Sequence, residues 1–127
     1  DDKPYYTILD GEESDLVEIP SKWELDDYVA QAYSVYPAEP AGIDRISCYR
    51  NVQDNYIREF RGYYDRGLCI SFLMHPQISG APGRNLVLEE IIKEVTAHED
   101  VWVATGSEIA KYWKKAYPKK SSKRKEE

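Results

Sequence analysis

Histidine, cysteine and methionine are scarce in this 127-residue chain, which holds two His, two Cys and one Met. Cys48 and Cys69 form no CxxC pair and join no Cys/His cluster. That excludes a zinc finger and a disulfide framework. Cys69 lies in the apolar run Leu-Cys-Ile-Ser-Phe-Leu-Met and is expected to pack as a small hydrophobe. Cys48 precedes Tyr-Arg-Asn and is expected at the surface. No apolar stretch approaches the roughly 18 residues of a membrane helix, so no transmembrane segment is expected. The chain opens Asp-Asp-Lys-Pro-Tyr-Tyr, without a basic start, an apolar leader or an initiator Met. The expectation is a mature product or a fragment.

What is present has globular balance. Hydrophobic residues make up 42% and charged residues 31%, which argues against general disorder. The length allows one small domain with a modest core. The net charge of −6 is unevenly spread. Residues 1–27 carry ten acids against Lys3 and Lys22, while residues 114–127 carry seven bases against Glu126 and Glu127. The basic end, residues 118–127, is expected to be a solvated, disordered tail; its sharper reading is a localisation or anion-binding signal. The acidic body speaks against a nucleic-acid binder.

Along the chain, Tyr5–Leu9 and Asp15–Ile19 read as short strands, with Pro20 stopping the second. Tyr28–Tyr36 reads as a short helix ended by Pro37 and Pro40. Val52, Tyr56, Phe60 and Tyr63 lie three or four apart and predict a helix over Asn51–Arg66, stopped by Gly67. Leu68–Met74 is a nearly continuous apolar run, as in a strand covered on both faces. A Gly/Pro loop leads to a helix over Asn85–Ala97, with Leu88, Ile91, Ile92 and Val95 facing inward. Val101–Ala104 reads as a second buried strand. Thr105 and Glu108 have capping-box spacing before a last helix whose inner face is Ile109, Tyr112, Trp113 and Ala116. The alternation from residue 50 onward predicts an α/β fold with parallel strands. So few parallel strands make a poor free-standing sheet, and the chain reads as part of a larger α/β unit.

His75 is the first candidate for chemistry. It ends an apolar strand, and α/β folds assemble their sites at that end. Its ordinary alternative is a structural residue at a strand terminus. Asp26 and Asp27 follow the earlier strand. One of them is placed to hold a ring nitrogen of His75, as carboxylates often do; the alternative is a helix N-cap. His98 sits at a helix end and is expected to be exposed, favoured there by the helix dipole. In the loop Ser79–Arg84 the glycines permit close approach of a ligand, and Arg84 suits an anion. That loop lacks the Gly-Lys-Ser/Thr ending of a P-loop. The eleven tyrosines and three tryptophans suit a sugar platform as well as a core.

Three stretches carry a resemblance. The first is Leu16-Val-Glu-Ile-Pro20 followed by Trp23-Glu-Leu-Asp-Asp27. The second is Phe72-Leu-Met-His75-Pro76, with Ser79-Gly80 and Pro82-Gly83-Arg84 behind it. The third runs from His98-Glu-Asp-Val-Trp102 to Ala110. Together, across residues 1–117, they resemble the C-terminal half of polysaccharide deacetylases with the NodB-homology fold. These form carbohydrate esterase family 4, and the subgroup concerned also holds cytoplasmic, allantoinase-like members.

The resemblance implies the C-terminal portion of a distorted (β/α) barrel. It implies an N-deacetylase, or a related hydrolase of non-peptide C–N bonds, acting on an N-acetylated sugar or a small cyclic amide. His75 matches the family histidine that protonates the leaving amine or packs over the acetyl group. Asp26 and Asp27 match the acidic motif that orients that histidine, and Trp23 matches an aromatic of the pocket wall. The family's divalent metal, usually zinc, is held by an Asp and two His spaced H-x-x-x-H in the N-terminal half, which this chain lacks. Asp1-Asp2-Lys-Pro-Tyr resembles a mid-domain loop, not the early metal-binding Asp pair. No metal and no hydrolysis are therefore expected of the chain alone, and cytoplasmic residence is expected. The expected partners are the substrate, the remaining half or a partner chain, and a second copy; no nucleic acid or membrane is expected. The competing reading is a non-catalytic half-barrel, serving as an interaction module or as one chain of a two-chain assembly.

Overall fold

The computed structural model describes residues 1–32 and 47–119. The expected helix end at Tyr36 and the tail beyond Lys119 lie outside the described residues. The chain divides into two compact units: residues 1–20 with the described residues from Trp102 onward, and Ser21–Val101. Among the described residues no helix is long and apolar enough to cross a membrane.

The first unit is built on an antiparallel hairpin of β1 (Tyr5–Leu9) and β2 (Glu12–Glu18). Asp10 and Gly11 form its two-residue turn with φ of 52° and 82°. A two-residue turn with both residues at positive φ matches the twist of paired strands, and Asp-Gly is the pair that tolerates it. Helix α5 (Gly106–Ala116) packs against β2. Its capping box is closed: the Glu108 amide donates to Thr105 Oγ1 at 3.3 Å, and the Thr105 amide donates to Glu108 Oε2 at 2.8 Å. The bond from the Thr105 amide, then that from its hydroxyl, holds the Glu108 carboxyl below its usual range. The expected inner face is only partly buried. Ile109 and Trp113 are half-covered, whereas Tyr112 and Ala116 are exposed, because the hairpin covers one side of a short helix.

The second unit holds the core. Helix α2 (Tyr49–Tyr64) buries Val52, Tyr56, Phe60 and Tyr63, the face its spacing predicts. It packs on α4 (Pro82–Thr96), and Leu25, Val52, Tyr56, Val87 and Ile91 form one cluster. The inner row of α4 is Val87, Ile91 and Val95, four apart; Ile92, expected inside, is exposed. The helix also starts earlier than expected, with Pro82 as its first residue, where a missing N–H costs nothing. Gly67 closes α2 at φ 60°. Cys69 is half-buried, and burial pushes its thiol up, as suits a packed residue rather than a nucleophile.

The two expected parallel strands need correction. Leu68–Met74 makes one parallel bridge, Asp26 with Leu73, and no ladder. The Leu73 amide donates to the Leu25 carbonyl at 3.0 Å, and the Asp27 amide to the Leu73 carbonyl at 3.1 Å. Val101–Ala104 is not a strand, and Trp102 and Val103 are exposed. A strand exists only through its neighbours, and among the described residues these apolar runs have no other.

Tyr56 is wholly buried and stands edge-on to Phe72, with its hydroxyl unpartnered among the described residues. Burial, then the Asp27 and Asp26 carboxylates, pushes that hydroxyl well above its usual range. It therefore stays protonated.

His98 is not the free surface residue its position suggests. It is half-buried just past the end of α4, with Nδ1 2.8 Å from the carbonyl of Glu94 in the last turn of that helix. Its ring stands edge-on to Phe60 and Tyr64, at centroid distances of 5.1 Å and 4.5 Å. The Tyr64 hydroxyl in turn donates to Asp100. The ring thus ties α2 to the end of α4. His98→Ala is expected to lower the unfolding free energy by about 1–2 kcal/mol, the worth of two aromatic contacts and a terminal hydrogen bond. Urea unfolding measures it, and an unchanged midpoint would contradict it.

Candidate active site

The candidate site lies wholly in the second unit. Trp23–Leu25 form a single 3-10 turn that buries Leu25. Asp26 follows in extended conformation and caps α1 (Asp27–Gln31), its Oδ1 accepting from the Tyr28 amide at 2.8 Å. The helix-cap alternative for this acidic pair therefore applies to Asp26. Asp27, one residue on, is fully buried and points elsewhere.

The Asp26–Leu73 bridge sets His75 beside Asp27. His75 Nδ1 lies 2.6 Å from Asp27 Oδ1. A carboxylate only accepts, so Nδ1 carries the proton of this bond. The His75 amide also donates to both Asp27 oxygens, at 3.1 Å and 2.9 Å. Ser79 Oγ donates to Oδ2 at 2.5 Å. Asp26 Oδ1 is farther from the ring, 3.7 Å from Nδ1. The ring is partly open to solvent, with 31% of the side chain exposed, and Tyr28 lies 5.8 Å from it, centroid to centroid. Among the described residues Nε2 has no hydrogen-bond partner. The arrangement fixes one ring nitrogen of a partly exposed histidine on a buried carboxylate.

The other expected residues are placed differently. Trp23 is 76% exposed beside the acidic pair. Arg84 is half-buried, and its guanidinium donates to the Gln31 carbonyl at 3.3 Å, at the end of α1. Two neighbours of His75 were not foreseen: Ser79 and Tyr28. For Ser79 a signal existed. His75-Pro76 through Gly80 reads as a one-turn helix with Pro at its first position and Gly just past its end. The structure has that helix, α3 (Pro76–Ser79).

Asp26, Asp27 and His75 offer ligand atoms within 4.8 Å of one another, the spacing of a metal site. Their bonding does not suit a divalent cation. Both Asp27 oxygens already accept from His75 and Ser79, Asp26 Oδ1 caps a helix, and Nδ1 is given to Asp27. A metal would have to displace these bonds at two buried carboxylates. The residues hold one another.

The NodB-type barrel expected from the sequence is the fold of the solved proteins this chain resembles. A Mycobacterium smegmatis protein, by name a polysaccharide deacetylase, superposes with a TM-score of 0.74 at 36% identity, covering 91% of this chain and 38% of its own. A Pseudomonas aeruginosa protein similarly named gives 0.71 at 22% identity, covering 93% and 37%. An allantoinase gives 0.70 at 22%, with the same coverage. Among curated sequences, a peptidoglycan deacetylase of Helicobacter pylori is 31% identical over 115 residues, 89% of this chain. A Schizosaccharomyces pombe protein, by name a polysaccharide deacetylase, is 29% identical over 128 residues. No protein-family model matches. The chain spans about 38% of the length of the curated relatives it matches. In sequence and in fold, then, it is similar to one part of the polysaccharide deacetylases.

Proposed function

We propose that this chain is the proton-donating part of an N-deacetylase acting on N-acetylated sugar polymers, or of a related hydrolase of small cyclic amides. The observation that carries the reading is the 2.6 Å contact of His75 Nδ1 with a buried Asp27. Amide hydrolysis adds water's oxygen to the carbonyl carbon and breaks the C–N bond. The nitrogen is a poor leaving group until it receives a proton. With Nδ1 fixed on Asp27, His75 presents Nε2–H and gives its proton to the departing nitrogen, yielding an amine and acetate. Asp27 keeps the ring oriented while that proton leaves. Trp23 is the exposed aromatic nearest in sequence and is assigned to the sugar face. Arg84, which gives one of its five N–H donors to the Gln31 carbonyl, is assigned to substrate binding from α4.

The zinc or other divalent metal that the resemblance implies has no suitable ligand set among the described residues. Its ligands belong, in this proposal, to the length of the relatives that the chain does not span. The proposal keeps the chain inactive alone, in the cytoplasm, and joined to that remaining length or to a partner chain. A second reading, a non-catalytic module that docks through apolar surface, is favoured by the exposure of Leu86 and Ile92 on α4. The experiment joins this chain to the remainder of a relative's domain and measures acetate from N-acetylglucosamine oligomers and ring opening of cyclic amides. Release by the joined protein, and none by the chain alone, is expected. A joined protein that folds, carries zinc and releases nothing leaves the docking module as the better reading.

A further inference from the structure

The Asp27–His75 pair has a third member. Ser79 is 4% exposed, and its Oγ donates to Asp27 Oδ2 at 2.5 Å. Among the described residues the other contact of Oγ is Met74 Sδ at 3.6 Å, and the Ser79 amide donates to the His75 carbonyl at 2.9 Å, so Ser79 does not act on the ring directly. A carboxylate can turn about its Cβ–Cγ bond. Oδ1 of Asp27 takes the His75 ring, and Oδ2 takes Ser79. The His75 amide reaches both oxygens and so selects neither. Ser79 is the contact that pins the second oxygen and thereby keeps the first aimed at Nδ1. We infer that Ser79 is a positioning residue for His75, acting through Asp27. Its effect on rate rests on the deacetylase reading above; its effect on the ring does not.

Gly80 fixes where Ser79 stands. A Cβ at Gly80 would lie 2.2 Å from the Pro76 carbonyl oxygen, closer than such atoms approach. The Gly80 amide bonds that same oxygen at 3.0 Å, closing α3. Gly80 has φ −74°, a value any residue adopts. Space, not backbone freedom, is what requires glycine, and the tight turn it permits carries Ser79 back to Asp27.

The test is proton NMR on the full chain with isotope-labelled histidine. In the wild type the His75 Nδ1 proton is expected far downfield and slow to exchange with water. In Ser79→Ala its exchange is expected to rise tenfold or more, as for loss of a hydrogen bond to a charged group, while backbone amides of α2 and α4 keep their rates. A merely structural role would speed both. Asp27→Asn serves as the reference. If Asp27→Asn leaves the resonance unchanged, the Asp27–His75 pairing itself fails. If Asp27→Asn removes it and Ser79→Ala matches wild type, the role of Ser79 is overturned. Should Ser79→Ala not fold, the wild-type spectrum decides. A slowly exchanging Ser79 hydroxyl proton close to the His75 amide supports the inference, and its absence where the Nδ1 proton is visible refutes it.

Discussion

His75→Ala, made in a complete deacetylase domain that includes this chain, is expected to lower kcat by roughly a hundredfold or more with KM little changed. A positioned general acid contributes about that much, near 2.7 kcal/mol of barrier. The proton it gives is needed only as the C–N bond breaks, so the loss falls on the transition state and not on substrate binding. His98→Ala in the same protein is expected to leave kcat within about twofold, because its ring is spent on Phe60, Tyr64 and the Glu94 carbonyl. The two variants separate chemistry from stability. Equal loss of activity in both would remove His75 from its assigned place. Full activity of His75→Ala would make the site a scaffold.

The second large effect separates two adjacent acids. Asp27→Ala is expected to cost about 3 kcal/mol or more in unfolding free energy, since it strips partners from His75 and the buried Ser79. Asp26→Ala loses a helix cap and is expected to cost about 1 kcal/mol. On activity, Asp27→Ala combined with His75→Ala should be little worse than His75→Ala alone, because the two act as a unit. Asp26→Ala should add its small effect independently. Denaturant midpoints and kcat for the two single and two double variants check this. An Asp26 variant as damaging as the Asp27 variant would show that the ring answers to both carboxylates.

The sequence already contained much of the second unit. The face of α2 was readable because Val52, Tyr56, Phe60 and Tyr63 recur at helical spacing and the core lies on one side of them. The capping box of α5 was readable because it is local chemistry between Thr105 and Glu108. Local rules failed where the deciding partner is distant. Ile92 looks as apolar as Ile91, and only the direction of α2 decides which is inside. Leu68–Met74 has the composition of a strand, but composition does not supply a neighbour. For the hairpin a strong local sign, Asp10-Gly11, lay between the two strands without being read as their turn. At the site, His75 and the acidic pair could be named from their motifs. Which acid faces the ring depends on one step of backbone between an extended residue and a helical one.

The meeting of Asp27 and His75 is carried by the bridge between Asp26 and Leu73, a pairing of two backbone hydrogen bonds. Asp27 stands one position and His75 two positions beyond that parallel bridge, each on its own segment. Its opening is a small event, well short of unfolding α2 or α4. The site is therefore expected to open more often than the fold that bears it. Mild heat or denaturant should part acid from ring while the helices persist, and the chain would keep its shape after losing its grip on the proton. Covering the exposed Leu73 would steady the bridge without touching either residue.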